Sequence, residues 1–331
     1  MKDAPAIPEI LTAVAPMAVD RGVERAASFI IAGDLVAIPT ETVYGLAADA
    51  TNDRAVAKIF EAKGRPSFNP LIVHVADLDM ARRYADFPPL AEKLARAFWP
   101  GPLTLVLPRK KDCGLSLLVS AGLETVALRA PKSPIARQII EKSGRPLAAP
   151  SANRSGSISP TQAEHVRDSL GRRVRLIFDG GACSVGIEST IIKVDGDRAV
   201  LLRPGGLPRA DIERIVGMPL EAPAAASIEA PGMLSSHYAP NARLRLNAAA
   251  PDKDEAFLGF GAMPAYGDAA LNLSVAGDLV EAAANLFAHL RRLDALCAEK
   301  NLSGIAAAPI PTHGLGEAIN DRLKRAAAPR P

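Results

Sequence analysis

The sequence predicts an α/β protein of two unequal domains, the second small and Rossmann-like. Three observations carry that prediction. Through residues 20–217, short apolar runs ended by Pro or Gly alternate with stretches of helical periodicity. A proline-punctuated, alanine-rich segment then breaks the pattern over residues 219–241. Beyond it the same alternation resumes on a smaller scale. The expected organisation is a domain over 1–218, an extended linker over 219–241 and a small domain over 242–331.

The most informative stretch is residues 35–75. Residues 35–38 are an apolar run that Pro39 ends, and Thr40, Glu41 and Thr42 follow before Val43-Tyr44-Gly45. A helical pattern comes next, with Ala55, Val56, Ile59 and Phe60 on one face and Asn52 or Asp53 as N-cap. Gly64 suits the C-terminal cap, between Lys63 and Arg65. A second apolar run, 71–75, carries His74. The order is strand, polar turn, helix, basic turn, strand, which reads as a βαβ unit. Hydroxyls end one strand, and two cations with Asn69 precede the next. Open α/β sheets bind ligands at such loop ends, so a small anion is expected here.

Upstream, Asp20 is expected to cap a helix with Val23, Ala27, Ile30 and Ile31 inside and Gly33 closing it. Downstream, Leu90, Leu94 and Phe98 give helical spacing that Pro100-Gly101-Pro102 stops, and 103–107 reads as a buried strand. Residues 125–130 form a strand with Arg129 near its end. Ser133-Pro134 then starts a helix with Ile135, Ile139 and Ile140 buried and Gly144 at its end. Residues 147–149 are a short strand opening into a polar loop, and Thr161 and Glu164 have capping-box spacing. Strands follow over 175–179 and 189–194, with Asp195-Gly196 turning into 199–202 and a helix over 211–216. In the second domain, 243–246, 257–260 and 305–308 read as strands. A long amphipathic helix covers 278–300 and a final one 315–327.

Composition is that of a globular protein, 48% hydrophobic and 23% charged. A net charge of +3 supplies no strong field for nucleic acid, and 4% aromatics argue against a stacking platform for single-stranded RNA. Cys113, Cys183 and Cys297 are far apart with no C-x-x-C, so neither a disulfide framework nor a structural zinc site is expected, and the cytoplasm is the expected location. Residues 10–19 are mildly apolar, but Asp3, Glu9 and Asp20 flank them and Pro16 interrupts them, unlike a signal peptide. No membrane-spanning run, P-loop, complete G-x-G-x-x-G, H-E-x-x-H or G-x-S-x-G is present. Nucleotide chemistry would have to proceed without a P-loop.

PTETVYGL at 39–46, followed by K-G-R-P-S-F-N-P-L from Lys63, resembles the YrdC-type threonylcarbamoyl-AMP synthases. APSANRSG at 149–156 resembles that family's second signature, and S-S-H-Y-A-P at 235–240 resembles the linker of its two-domain, Sua-type branch. The resemblance covers about residues 20–217 and the linker motif; the second domain matches by position and pattern only. It implies a YrdC-like twisted open sheet and an L-threonylcarbamoyladenylate synthase. Such an enzyme joins L-threonine, bicarbonate and ATP, with Mg²⁺ on the phosphates, and releases pyrophosphate. The product is the donor for N6-threonylcarbamoyladenosine in tRNA, attached by a separate transferase complex.

The resemblance also implies roles, residue by residue. Lys63 and Arg65 would be catalytic and meet phosphates. Asn69, Thr125, Ser151, Ser159 and Arg203 would surround the nucleotide, with Asn153 supporting the Ser151 loop and Tyr238 covering it. Thr42, His74, Arg129, Ser189 and the backbone at Ala149 would line the threonine pocket. Taken singly, each has a plainer reading: helix-end cations at Lys63 and Arg65, a core histidine at His74, an ordinary ion pair at Arg129, turn chemistry at Ser151 and Asn153. Two other functions use related domains. One is RNA binding or ribosome assembly, which the scarcity of aromatics and the set Lys63, Arg65, Ser151, Asn153 weigh against. The other is carbamoyl-transfer maturation, whose chains carry zinc-finger cysteine pairs that this sequence lacks.

Overall fold

A computed structural model describes residues 8–12, 16–223, 230–232 and 236–329. Ser235 of the linker motif and much of the expected linker, residues 224–229 and 233–235, lie outside the described residues. Among the described residues, no helix is long and apolar enough to cross a membrane.

The first part of the chain builds a mixed sheet from β1 (Glu9–Thr12), β2 (Val36–Ile38), β3 (Gly45–Asp49), β4 (Ile72–His74), β5 (Leu103–Pro108), β6 (Thr125–Arg129), β7 (Leu147–Ala148), β8 (Leu176–Asp179), β9 (Thr190–Asp195) and β10 (Arg198–Arg203). Their spatial order is β1-β8-β2-β3-β7-β4-β6-β5-β9-β10. Between them run α1 (Pro16–Ile31), α2 (Asp53–Lys63), α3 (Leu78–Ala81), α4 (Pro89–Phe98), α5 (Pro134–Ser143) and α6 (Ala163–Leu170), and α7 (Arg209–Val216) follows. The second part is a parallel sheet of β11 (Arg243–Arg245), β12 (Glu255–Gly259), β13 (Ala270–Asn272) and β14 (Gly304–Ala307), ordered β11-β14-β12-β13, with α8 (Leu279–Lys300) and α9 (Gly316–Ala327).

Several sequence expectations need correction. The polar turn after β2 is a reversal, not a run into a helix. The Thr40 hydroxyl accepts the amides of Thr42 and Val43 and donates to the Val43 carbonyl at 2.7 Å. That closed turn sends the chain back as β3, antiparallel to β2. Strand β3 is GLAAD, buried throughout, and its small residues carry no β-branched signal. The crossover unit is therefore β3-α2-β4, with β7 lying antiparallel between its two strands. Helix α1 starts at Pro16, ahead of Asp20, and leaves Ile31 55% exposed. The capping box before α6 does not form: Gln162 is the N-cap, and the Thr161 amide donates to His165 Nδ1 instead. Strand β13, half-buried at a sheet edge, has no periodic signature of its own.

Where the expectation holds, its physics is visible. Asn52 Oδ1 accepts the amides of Arg54 and Ala55 at the start of α2, and Gly64 closes it at φ 60°, a left-handed position that a residue with a Cβ resists. That cap fixes the direction in which Lys63 and Arg65 leave the helix.

The large sheet is covered unevenly. One face packs under α2, α4, α6 and α7 along its whole width. The other face is covered by α1 and α5 only over β2, β3, β7 and β8. On its remaining half, Ile72, Val106, Ala127, Ile191 and Leu202 pack with Ala230 of the linker and, among the described residues, with no helix. The second domain closes this gap from the side. Val43, Ile158, Ile187 and Tyr238 belong to its apolar core, together with Leu286, Phe287 and Leu290 of α8. Arg209 pairs with Glu317 at 2.5 Å across the same boundary.

Gly186 lies at this boundary with φ 75°, and a Cβ there would sit 2.5 Å from the Ala283 carbonyl oxygen of α8. Gly196, in the β9–β10 turn, also has positive φ but open space around it. Gly196→Ala should cost about 1 kcal/mol from backbone strain alone. Gly186→Ala should cost about 1–3 kcal/mol more, because α8 must retreat. Denaturant unfolding of both variants checks this; equal losses would mean that the two domains do not pack as described.

Candidate active site

The half-face without helices holds a cavity of about 50 Å³. Strand alternation selects its lining. Val73, Leu128 and Ala148 point into the helix-covered core, so His74, Arg129 and Ala149, each one residue on, point to the opposite face. Ser189 precedes β9 on that face. Arg203 reaches it through a β-bulge: the register of β10 against β9 shifts between Leu201 and Arg203, so that Arg203 lies opposite Ile191. Thr40, Thr42 and Val43 enter from the β2–β3 turn, Arg65 from the turn after α2, and Pro231, Gly232, His237 and Tyr238 from the linker.

Three buried guanidiniums meet here. Arg129 donates from Nη2 to Glu41 Oε1 at 2.6 Å, from Nη1 to Thr42 Oγ1 at 2.9 Å and from Nε to the Gly101 carbonyl at 3.2 Å. Two of its five N–H groups make no hydrogen bond among the described residues and can meet a ligand. Glu41 Oε2 accepts the amides of Lys132 and Ser133, and although burial pushes its carboxyl up, Arg129 and these bonds hold it below the ordinary range. Arg65 donates to the Asn69 side chain at 2.6 Å and to the Asn69 and Pro70 carbonyls, while its Nη1 makes no hydrogen bond among the described residues. Burial and then Arg203 lower its pKa to about 10, so it stays cationic at neutral pH. Arg203 donates to the Ser189 carbonyl at 2.9 Å and to the Pro231 carbonyl at 3.1 Å, tying the linker to the sheet.

Lys63 is buried behind this layer. Its Nζ donates to the carbonyls of Ser151 at 2.5 Å and Asn153 at 2.6 Å, and burial, with Arg65 nearby, lowers its pKa. Asn153 Nδ2 donates to the Arg154 and Ser157 carbonyls. Together they set the shape of the loop that presents Ser151. His74 and His237 are both held at a pKa of about 3, chiefly by burial, so both are neutral. The Nδ1 atoms of both are buried without a partner among the described residues. An unsatisfied buried polar atom costs about 1–3 kcal/mol, which a ligand's hydrogen bond would offset. Tyr238 roofs the cavity, stacked on Phe287 of α8 with ring centroids 5.5 Å apart.

Of the residues singled out from sequence, Thr42, Arg65, His74, Arg129, Ala149, Ser151, Ser189, Arg203 and Tyr238 line the cavity. Lys63, Asn69, Asn153 and Ser159 stand behind it and hold lining groups in place; Ser159 Oγ donates to Glu188 Oε1 at 2.5 Å. Thr125 does not join them. It pairs with Pro108 at the far end of β6, about 13 Å along the strand from Arg129. Sequence reasoning missed Glu41 as the partner of Arg129 and Glu188 as a wall residue; Glu41 lies inside PTETVYGL and reads as a turn residue, and Glu188 only precedes the strand expected at 189–194. It missed Arg322 altogether, a fully buried arginine of α9 whose Nε donates to Glu188 Oε2 at 2.8 Å. In sequence it is one more cation of an amphipathic helix.

Comparison with known proteins agrees with this arrangement. A family model covering the Sua5, YciO and YrdC proteins, described as telomere recombination, matches residues 28–205. A second, described as the C-terminal domain of threonylcarbamoyl-AMP synthase, matches residues 207–328. The threonylcarbamoyl-AMP synthase of Pyrococcus abyssi is 43% identical over 324 residues, which is 92% of this chain and 94% of that protein. That of Bacillus subtilis is 41% identical over 332 residues, 94% of each. The crystal structure of P. abyssi Sua5 complexed with L-threonine superposes with a TM-score of 0.87 at 38% identity, covering 97% of this chain and 98% of that one. The chain belongs to the Sua5/YciO/YrdC family, in its two-domain Sua5 form.

Proposed function

We propose that this protein is an L-threonylcarbamoyladenylate synthase that converts L-threonine, bicarbonate and ATP to threonylcarbamoyl-AMP and pyrophosphate. The observation that carries the reading is the convergence of Arg65, Arg129 and Arg203, all buried, on one cavity with neutral His74 and His237. Three anionic reactants have to be brought together there, and fixed cations offset their mutual repulsion. The threonine amine forms a C–N bond with the carbon of bicarbonate, with loss of water. The carbamate oxygen then forms a bond to the α-phosphorus of ATP as the bond to the β-phosphate oxygen breaks. No protein nucleophile is needed.

The two open N–H groups of Arg129 suit the threonine carboxylate in a fork geometry, with Thr42, His74 and Ser189 around the rest of the amino acid. Arg65 and Arg203 face the phosphates, Ser151 the nucleotide and Tyr238 its roof. Lys63 acts through the Ser151–Asn153 carbonyls that it holds. Mg²⁺ arrives as part of the ATP substrate, with phosphate and water as its ligands. A cavity of about 50 Å³ is far below the roughly 300 Å³ or more of a ligand pocket, so admitting ATP requires the cover at Pro231 and Gly232 to move. The product supplies the tRNA threonylcarbamoyladenosine pathway through a separate transferase complex. A reducing cytoplasm suits the three unpaired cysteines.

Purified protein with ATP, Mg²⁺, bicarbonate and L-threonine should release pyrophosphate and accumulate a species with the mass of threonylcarbamoyl-adenylate. Release that ignores threonine would replace the reading with another acceptor. Arg65→Ala should lower kcat/KM for ATP by about 10²–10³-fold with the circular dichroism spectrum unchanged; a folded variant within about threefold of wild type would remove Arg65 from the site.

The two neutral histidines also set a pH dependence of stability. Their folded-state pKa values lie below the ordinary 6.5, so the unfolded chain takes up protons first. Their contribution is complete above about pH 6.5 and is lost as pH falls towards 3. At about pH 5.5 each should reduce stability by about 1 kcal/mol relative to neutral pH. In His74→Asn/His237→Asn the difference between about pH 7.5 and about pH 5.5 should shrink by about 2 kcal/mol, as read by urea unfolding.

A further inference from the structure

We infer that Arg322, supplied by the second domain, is a positioning residue for the nucleotide end of the cavity: it holds Glu188 as a paired carboxylate, so that this acid can face a polyphosphate without repelling it. The inference rests on the ATP reading above. Glu188 is a lining residue in a cavity otherwise rich in cations, on the side of Arg203 and Tyr238. Unpaired, its charge would oppose every anion the site must hold, at short range and in a poorly screened interior.

The geometry points to Arg322 as its neutralising partner. Arg322 is 0% exposed. Its Nε donates to Glu188 Oε2 at 2.8 Å, and its Nη1 donates to the Pro204 carbonyl at 2.9 Å and to Asp321 at 2.6 Å. Its guanidinium carbon lies 5.2 Å from the centre of the Tyr238 ring, the roof of the cavity. The other Glu188 oxygen accepts the Ser159 hydroxyl at 2.5 Å, so pairing also fixes Ser159. Burial pushes the Glu188 carboxyl up, but Arg322 and Arg203 hold it below the ordinary range, consistent with an ionised pair. One side chain of α9 thus touches both a wall and the roof of a cavity that belongs to the other domain.

A simple clamp between domains would use the same bonds, so the test separates charge from clamping. In the full-length protein, ATP affinity is measured by calorimetry, which needs no turnover, and the KM values for ATP and threonine by pyrophosphate release. Arg322→Met should weaken ATP about tenfold or more and raise the threonine KM less than about threefold. Adding Glu188→Gln to Arg322→Met should return ATP affinity to within about threefold of Glu188→Gln alone, because no uncompensated charge is then left. Arg322→Lys, which keeps the charge but loses the fork, should stay within about threefold of wild type for ATP. Equal losses for both substrates, or a double variant as weak as Arg322→Met, would overturn the inference and leave a structural clamp. Failure of every Arg322 variant to fold would overturn it in the same way. Wild-type protein that binds no ATP would instead overturn the parent reading.

Discussion

Buried positive charge is the constraint on which the rest of this molecule depends. Lys63, Arg65, Arg129, Arg203 and Arg322 are buried around one cavity, with Glu41 and Glu188 as the buried carboxylates among them. Removing an ion from water costs several kcal/mol unless a partner compensates it. Glu41 takes Arg129 and Glu188 takes Arg322. The other three cations are held by backbone carbonyls: Ser151 and Asn153 on Lys63, Asn69 and Pro70 on Arg65, Ser189 and Pro231 on Arg203. Carbonyl dipoles soften the penalty without cancelling the charge. The interior therefore keeps a positive field that an anionic ligand completes, and each loop carrying one of those carbonyls is held in place by the cation it solvates.

The fold can accommodate such a site because, among the described residues, one half-face of the large sheet carries no helix. Elsewhere the sheet is covered on both sides, and the space above each strand is filled with side chains. Over β4, β6, β5, β9 and β10, Ala230 of the linker packs where a helix would otherwise lie. A helix would satisfy its own backbone; the turn at Pro231 leaves its carbonyl as an acceptor for Arg203. The second domain supplies the remaining cover. Tyr238 is packed into that domain's core beside Phe287, so the roof of the cavity is anchored outside the sheet that forms its floor.

Much of this was legible in the sequence, for reasons that differ from element to element. The cap at Asn52, the left-handed close at Gly64 and the Ser133-Pro134 helix start are local rules, and they hold. The motif residues that line the cavity were found because they sit in short, distinctive strings. What escaped depends on long-range placement. Strand β3 is hidden because Gly45-Leu-Ala-Ala-Asp carries no strand pattern and is defined only by its neighbours β2 and β7. Arg203 was named by resemblance, but the bulge that turns it to the cavity has no local signal, and strict alternation would not place it there. Glu41 and Arg129 are 88 residues apart, and Glu188 and Arg322 are 134 apart, so neither pair has a spacing to read. The local signal at Thr161 and Glu164 failed because the Thr161 amide is taken by His165, an equally local competitor four residues on.

The same bonds that close the cavity set the terms for opening it. The linker is tied to the sheet at the Pro231 carbonyl by Arg203, to the Asn153 loop by the Ala239 amide on the Gly156 carbonyl, and to α9 by the His237 amide on the Arg325 carbonyl. The first of these is the bond that an anionic ligand can replace most favourably. A phosphate oxygen in place of the Pro231 carbonyl gives Arg203 a partner of opposite charge, roughly doubling the strength of that hydrogen bond. The displaced Pro231 carbonyl moves to water, where it is satisfied. An anion that takes Arg203 would therefore also remove the tie at Pro231. The outer ties at Ala239 and His237 are backbone amides on the Gly156 and Arg325 carbonyls, so an exchange of partners at Arg203 breaks neither of them.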